Sequence, residues 1–139
     1  MAAFSKFNAF VEAIVLKKHN LGTDSLKVML TLTAPVAANS VKADLTEIAA
    51  GNGYSAGGTA TTITSCVQTA GVLKLIITDV TFTASVGSIA NFRYAVLYND
   101  TATNDELIGF WDSGGTQTIT VGNSFLVDFD PAAGVLTIT

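Results

Sequence analysis

The spacing of apolar residues along the chain changes once, close to residue 25. Before that point, five apolar side chains recur at intervals of three and four residues, which is typical of one face of an α-helix. They are Phe4, Phe7, Val11, Ile14 and Val15. Ser5 can cap the start of such a helix, and Lys17 and Lys18 suit the negative end of its dipole. The pattern predicts an amphipathic helix of about four turns that ends near residues 20–22, where Gly22 can take a positive φ.

From residue 26 onward the apolar residues alternate with polar ones, as in strands with one buried face. The segment LKVMLTL (residues 26–32) places Leu26, Val28, Leu30 and Leu32 on one face. Eight further segments alternate or are rich in β-branched and aromatic residues: TTITSCVQ, VLKLIIT, VTFTA, NFRYAVLYN, LIGFWD, QTITV, SFLVDF and GVLTIT. Turn-forming clusters such as NSVKAD, DSGGT and DPAAG separate them. The chain is therefore predicted to contain about nine short strands.

Strands with one apolar face must bury it against a second layer. We therefore expect an all-β fold: a two-sheet antiparallel sandwich, jelly-roll-like, with one N-terminal amphipathic helix. No long linker rich in proline or glycine divides the sequence. We expect a single domain over residues 1–139, with the helix and its cap in residues 1–22 and the β-sandwich in residues 23–139. The last strand, GVLTIT, should be held in a sheet.

The composition suggests a surface that is partly covered. Charged residues make up 13% of the chain and apolar residues 49%, which is a low charge content for a soluble monomer. The net charge of -4 is uneven, with five lysines against four acids in residues 1–70 and two bases against seven acids in residues 71–139. Nucleic-acid binding needs clustered basic side chains. We therefore expect a protein partner and no nucleic acid.

No apolar run is long enough to cross a bilayer, and the first residues lack the basic start and apolar middle of a signal peptide. We expect a soluble protein that is made in a cytoplasm and has no membrane partner. Cys66 is the only cysteine, which excludes a disulfide within one chain. Its position in a predicted strand suggests a small, buried, apolar side chain.

Glycines are concentrated in GNGYSAGG (residues 51–58), which matches the glycine spacing of two kinds of phosphate-binding loop. A dinucleotide loop needs a strand before the glycines and a helix after them. Here the mildly helical ADLTEIAA precedes the glycines and the strand-like TATTITS follows. Thr59 and Ala60 stand where a P-loop has its Lys and Ser or Thr. We interpret the stretch as a surface loop whose glycines permit sharp bends while Tyr54 packs back onto the sandwich.

Few residues could carry catalysis or hold a metal. His19 is the only histidine. A Ser-His or Cys-His pair needs a third group to orient the imidazole, and with one His and one Cys a tetrahedral zinc site would depend on carboxylates. The negative helix end is therefore the better explanation of its position. Asp128 and Asp130 in VDFDP are predicted to share one strand face, and Asp105 with Glu106 forms the densest acidic cluster. Paired carboxylates can bind calcium or cleave glycosides, but the proline turn favours a solvated edge. We expect no catalytic residue, no metal and no cofactor.

Aromatic residues are the remaining candidates for binding. Phe92, Tyr94 and Tyr98 are predicted to share one face of NFRYAVLYN. Trp111 is the only tryptophan and is followed by Asp112. An exposed ring beside a carboxylate is typical of a carbohydrate-binding platform, whereas packing in the core is the alternative, because large aromatics dominate cores and interfaces alike.

Several stretches resemble small structural proteins of tailed bacteriophages that act as capsid cement or decoration proteins. They are FNAFVEAIVLKKHNLGTDSLKVMLTLTAPVAANS, ADLTEIAAGNGYSAGGTATTITS, NFRYAVLYND and LIGFWDSGG. The resemblance extends over nearly the whole chain. It implies a β-sandwich of jelly-roll type that binds the outside of an assembled head, bridges neighbouring major capsid subunits and forms homodimers or homotrimers.

From this resemblance we expect a non-enzymatic virion structural protein at the capsid surface, with the major capsid protein and further copies of itself as partners. The candidate interaction residues are Phe4, Phe7, Tyr54 and Trp111. The alternative hypothesis is a phage head or tail appendage that binds host-surface carbohydrate through Trp111 and neighbouring aromatics.

Overall fold

The computed structural model describes residues 3–139. Strands account for 47% of the structure and helices for 7%, and the strand pairs among these residues are antiparallel. The predicted all-β class is therefore confirmed. The elements in chain order are β1 (Ser5–Lys6), α1 (Ala9–Val15), β2 (Leu26–Thr31), a 3-10 turn (Lys42–Asp44), β3 (Thr59–Thr61), β4 (Ile63–Thr69), β5 (Val72–Ile77), β6 (Val80–Thr83), β7 (Ile89–Asn99), β8 (Leu107–Ile119), β9 (Ser124–Val127) and β10 (Leu136–Ile138).

Five strands form the larger sheet, in the order β1-β8-β7-β2-β3. β2 pairs along its whole length with β7, from Leu26 opposite Asn99 to Thr31 opposite Tyr94. The sheet therefore joins elements from both halves of the sequence.

Two smaller sheets have the orders β10-β5-β4 and β6-β9. Only residues 78 and 79 separate β5 from β6, and their respective partners β10 and β9 are also consecutive in the chain. The four strands thus form one interrupted ribbon, in which β5 and β6 run antiparallel to β9 and β10. Ala70 and Gly71 connect β4 to β5, and both have a positive φ (51° and 83°), as a type I′ hairpin turn requires.

The centre of the larger sheet is buried on both faces. One face of β2 contributes Leu26, Val28 and Leu30 to the main core, which also contains residues of both smaller sheets. The other face carries a second core cluster: Phe7, Met29, Val96, Tyr98 and Leu107, with Leu45 and Phe110 packed against it. Leu32, which the alternation predicted on the buried face, lies beyond the end of β2 and is exposed.

The N-terminal helix is shorter than the four turns predicted. α1 has seven residues, and its N-cap is Asn8. Ser5 is not a cap, because it forms part of β1 and pairs with β8. The helix ends where Lys17 adopts a left-handed φ of 61°, and the N–H of Lys18 then donates to the carbonyl of Ala13 at 2.8 Å. Lys17 thus ends the helix where Gly22 was predicted to do so, and the φ of Gly22 is not positive. At the start, the pairing of β1 with β8 replaces the first predicted helical turns.

The buried side of the helix does not coincide with the predicted apolar stripe. Phe10 and Ala13 are its buried residues, whereas Val11 is 51% and Val15 75% exposed. Phe10, one residue before the predicted stripe residue Val11, is the side chain that enters the core. The buried side of the helix is therefore rotated by one residue relative to the predicted apolar stripe.

β8 is one strand of 13 residues where the sequence predicted two strands separated by a DSGGT turn. In the pairing of β7 with β8, Phe92 lies opposite Gln117 and Tyr94 lies opposite Asp112. A step of two residues along β7 therefore corresponds to a step of five along β8. The extra residues of β8 form a bulge, in which Gly114 takes a φ of 88°. The glycines therefore bend a continuous strand and do not reverse the chain.

This bulge changes which face of the sheet the aromatic residues of β7 occupy. Phe92 belongs to the main core, whereas Tyr98 belongs to the second cluster. The ring of Tyr94 lies 6.5 Å from that of Phe110, which packs against the second cluster. The prediction that Phe92 shares a face with Tyr94 and Tyr98 was wrong, because the irregular pairing between residues 92 and 94 interrupts the alternation.

The strand predicted through VDFDP ends at Val127. Asp128 and Asp130 lie in the connection from β9 to β10 and do not share a strand face. The carboxylate of Asp130 accepts hydrogen bonds from the backbone N–H groups of Ala132 and Ala133, at 2.7 and 2.9 Å. The bonds from Ala133 and Ala132 lower the pKa of Asp130, so this carboxylate stabilises a turn in its ionised form.

Candidate interaction surface

The outer side of α1 presents apolar side chains to solvent. Val11 and Val15 are four residues apart and therefore lie on one side of the helix. Leu16, which caps the helix, is also exposed and extends this apolar side. Because Phe10 and Ala13 anchor the opposite side in the core, α1 is fixed in place with its second apolar side uncovered.

β10 lies beside α1 and completes a groove of about 350 Å³. The helix side of the groove is formed by Val11, Ile14 and Val15, and the strand side by Leu136 and Ile138. We call these five residues the α1–β10 groove. The pairing of β10 with β5 confirms that the last predicted strand is held in a sheet.

An apolar pocket of about 570 Å³ continues the groove at one end. Ile14 and Ile138 line both depressions, and Leu21, Leu73 and Lys17 contribute to the pocket. Contiguous exposed apolar surface of this kind marks interaction sites more often than scattered apolar side chains do.

Cys66 also lines this pocket. It packs against the main core from β4 and is half-buried, not fully buried as predicted. Burial raises the pKa of its thiol, so the side chain is a neutral part of the pocket wall.

A separate depression of about 370 Å³ lies where the chain enters β10. Its lining includes the rings of Phe4 and Trp111, the carboxylates of Asp128 and Asp130, and Val135, the residue before the groove residue Leu136. Both carboxylates are exposed. The two carboxylates thus precede β10, near the Lys74 ammonium, which donates to the carbonyl of Ala132 at 2.6 Å, whereas Lys6 lines the groove and Lys17 lines the pocket beyond it.

His19 is placed differently from its predicted position in the last turn of the helix. It follows the helix, is buried, and accepts a hydrogen bond at Nδ1 from the side-chain amide of Asn99 at 3.0 Å. Burial lowers the pKa of His19, although Glu106 and Asp24 act in the opposite direction. Nε2 is buried without a hydrogen-bond partner among residues 3–139. The explanation of His19 as a charged residue at the helix end was wrong, because a buried imidazole in this setting is neutral.

Glu106 lies in the same polar cluster. Its carboxylate accepts the N–H of Asn104 at 3.2 Å, and the ammonium of Lys18 lies 3.6 Å away. Burial acts to raise the pKa of Glu106, but the backbone and side-chain hydrogen bonds, with Lys18, outweigh it and lower the pKa overall. Glu106 is therefore ionised and holds the turn before β8.

Residues 51–58 form a loop with Tyr54 packed inward, as predicted. The Tyr54 hydroxyl donates to the carboxylate of Glu47 at 2.7 Å and accepts the N–H of Leu30 at 3.1 Å. The N–H of Gly57 donates to the same carboxylate at 2.6 Å. Burial strongly raises the pKa of Tyr54, so its hydroxyl stays protonated. The protein's own anion, Glu47, thus occupies the position at which a phosphate would have to bind Gly57.

The four predicted interaction residues contribute to packing. Phe7, Tyr54 and Trp111 are buried, with Trp111 only 6% exposed. Phe4 is half-buried, and its ring lies 4.9 Å from that of Trp111. The ring of Trp111 also packs at a tilt of 47° against that of Phe129, with the centroids 5.0 Å apart, so it does not form the exposed platform that the carbohydrate hypothesis needs.

Val11 and Val15 were placed on the apolar stripe of the predicted helix but were not among the candidate interaction residues. The signal that could have distinguished the two sides of the helix is Phe10, a larger apolar residue next to that stripe.

Comparison of the chain with protein-family models, with curated proteins and with solved structures finds no match. Within residues 3–139, no helix has the length and apolar character needed to cross a membrane. The same residues contain no group of three or more His, Cys, Asp or Glu side chains placed to hold a metal ion.

Proposed function

We propose that this chain is a non-enzymatic structural protein of a tailed-phage virion, which binds the outside of the capsid and cements or decorates the major capsid subunits. Its partners on this proposal are the major capsid protein and other copies of itself, as a homodimer or homotrimer, and its location is the capsid surface. Contact with nucleic acid or membrane plays no part in this function.

We further propose that the fold is a jelly-roll-like sandwich. The larger sheet would be one layer, and the interrupted ribbon of β5, β6, β9 and β10 with β4 would be the other. Support comes from the main core, to which β2 of the larger sheet and β5, β6 and β9 of the ribbon all contribute side chains.

The observation that carries the proposed function is the α1–β10 groove. Burying a valine or isoleucine side chain contributes roughly 1.5–3 kcal/mol, so a groove that leaves several of them in solvent favours a covering partner. A cement protein needs surfaces of this kind because its role is to bind other subunits of the shell, including further copies of itself. The resemblance of the sequence to capsid cement and decoration proteins supplies the identity of the partner.

The test uses heads of the encoding phage that were assembled without this chain. We expect the purified chain to cosediment with these heads at a fixed stoichiometry and to raise the temperature at which they release DNA. Val15→Asp should weaken both effects, whereas Val86→Asp is the matched control, because Val86 is 86% exposed and lies outside the groove. The proposal fails if the wild-type chain does not cosediment and the heads resist heat and chelator equally with and without it.

A further inference from the structure

β10 has a free edge. Its residues Leu136–Ile138 pair with β5 on one side, and no strand of the described chain pairs with the other side. An unpaired strand edge is a template for another strand. The sequence Leu-Thr-Ile contains neither the proline nor the charged residue that commonly protects such an edge. The other edge of this sheet is less regular, because the register of β4 shifts between Ile63 and Ser65.

The free edge lies next to uncovered apolar side chains. Val11 and Val15 line the groove opposite Ile138, which is itself 37% exposed. A strand of three residues offers few backbone hydrogen bonds. Most of the binding energy of an added strand must therefore come from burying these side chains.

The charges along β10 limit what can occupy the groove. Asp128 and Asp130 precede Leu136, with Lys74 near Asp130, whereas Lys6 lines the groove itself and Lys17 lines the pocket at its Ile138 end. An antiparallel copy of the same surface would bring the two carboxylates of one chain toward Lys6 and Lys17 of the other. A two-fold axis needs such a self-complementary surface.

We propose that a second copy of this chain occupies the groove, with the two β10 strands pairing antiparallel about a two-fold axis. Leu136 of one copy then faces Ile138 of the other, and Thr137 faces its own equivalent. Two three-stranded sheets become one of six strands. The valines of α1 pack against the second copy, and Lys17 approaches its Asp128. This inference rests on the proposed function for its setting, in that it names one of the partners proposed there.

The first test measures the mass of the purified chain by analytical ultracentrifugation over a concentration series, without capsids. We expect a monomer–dimer equilibrium. Val15→Asp should raise the dimer dissociation constant at least tenfold, and Val86→Asp should leave it within twofold. Circular dichroism and thermal melting must show that both variants are folded, and Val15→Ala, which removes apolar surface without adding charge, should give an intermediate effect.

The second test determines the register by cross-linking. In a Cys66→Ser background, Thr137→Cys places two thiols opposite each other, at the Cα separation of about 4.5–5.5 Å found for antiparallel pairs, which a disulfide can span. We expect rapid formation of a covalent dimer under mild oxidation. Val67→Cys, exposed on β4 at the other edge of this sheet, is the matched control and should remain monomeric.

The third test is a charge exchange. Lys17→Glu should weaken the dimer several-fold, and adding Asp128→Lys should restore it, because the two changes exchange the partners of one contact. Restoration supports the two-fold arrangement, and failure of the double variant to recover contradicts it.

A chain that is monomeric at every concentration, that forms a trimer, or that dimerises without cross-linking at Thr137→Cys would overturn the inference. If a monomeric chain still cosediments with heads and Val15→Asp abolishes this, a capsid subunit occupies the groove, and only the self-pairing is wrong. If the chain dimerises as described but does not bind heads, the proposed function is wrong and the dimer stands.

Discussion

At the scale of single residues, the loop of residues 51–58 is fixed by glycines as much as by Tyr54. Gly58 has a φ of 76°, and a Cβ at this position would overlap the backbone of Val28 and Met29 in β2. The carbonyl of Gly57 accepts a hydrogen bond from the hydroxyl of Tyr98 at 2.8 Å. The glycines therefore allow the loop to lie directly on the larger sheet.

We expect Gly58→Ala to lower the free energy of unfolding by at least about 2 kcal/mol, because it adds both left-handed backbone strain and a clash with β2. Gly71→Ala is the matched control, since its φ is also positive (83°) but nothing lies within 4 Å of the added Cβ. It should cost about 1 kcal/mol. Urea denaturation of both variants measures the difference, and equal losses would show that Gly58 does not approach β2 as described.

His19 is expected to make stability depend on pH. Its pKa is lowered on folding because burial disfavours the charged ring, so the unfolded chain binds more protons as the pH falls through 6.5. The stability that depends on neutral His19 should therefore be lost as the pH falls through 6.5, so the free energy of unfolding should be lower at pH 5 than at pH 7.5. Asp44, Glu106, Asp112 and Asp130 have lowered pKa values too, but their contributions are lost only at lower pH.

The measurement is the free energy of unfolding of the wild type and of His19→Gln at pH 5 and pH 7.5. The glutamine stays neutral at both values, so the variant should lose most of the pH dependence whatever its absolute stability. A variant that keeps the full dependence would show that another group titrates.

At the scale of elements, the sequence predicted most strands, because each has an apolar face that the main core buries. It failed at β1, where it predicted the start of the helix, and where glycine permits more than one structure. DSGGT matches a turn, but tertiary pairing with β7 keeps β8 continuous and absorbs the extra residues as a bulge. The guanidinium of Arg93 stabilises this bulge through two hydrogen bonds of 2.8 Å to Asp112. Neither the pairing with β7 nor the Arg93–Asp112 hydrogen bonds can be predicted from the local sequence around DSGGT.

The end of α1 provides an element-scale prediction. Lys17 adopts a φ of 61°, a conformation that glycine takes without strain, whereas Gly22 does not have a positive φ. Lys17→Gly should therefore raise the free energy of unfolding by about 1 kcal/mol.

Gly22→Ala is the control for this change. Its Cβ would meet only an ordinary contact, 3.5 Å from the side chain of Asn20, so little loss is expected. If Gly22→Ala proved strongly destabilising and Lys17→Gly did too, the helix would end where the sequence predicted and not at Lys17.

At the scale of the whole molecule, the apolar surface that is left uncovered consists of small aliphatic residues and not of the four candidate interaction residues. Phe7, Tyr54 and Trp111 are buried, because large rings fill the core of a 139-residue chain. The periodicity of residues 4–15 indicated an apolar helix, yet it could not show which side faces inward, because that depends on how β1 attaches to β8. The low charge content predicted that a partner covers part of the surface. The α1–β10 groove is the exposed apolar surface that we propose for such a partner.

The most direct test of the proposed function is electron cryomicroscopy of intact particles of the encoding phage. We expect density for this all-β chain on the outer surface of the head, in contact with neighbouring major capsid subunits, and we expect that density to be absent from particles made without the gene. Heads whose outer surface is identical with and without the gene would contradict it.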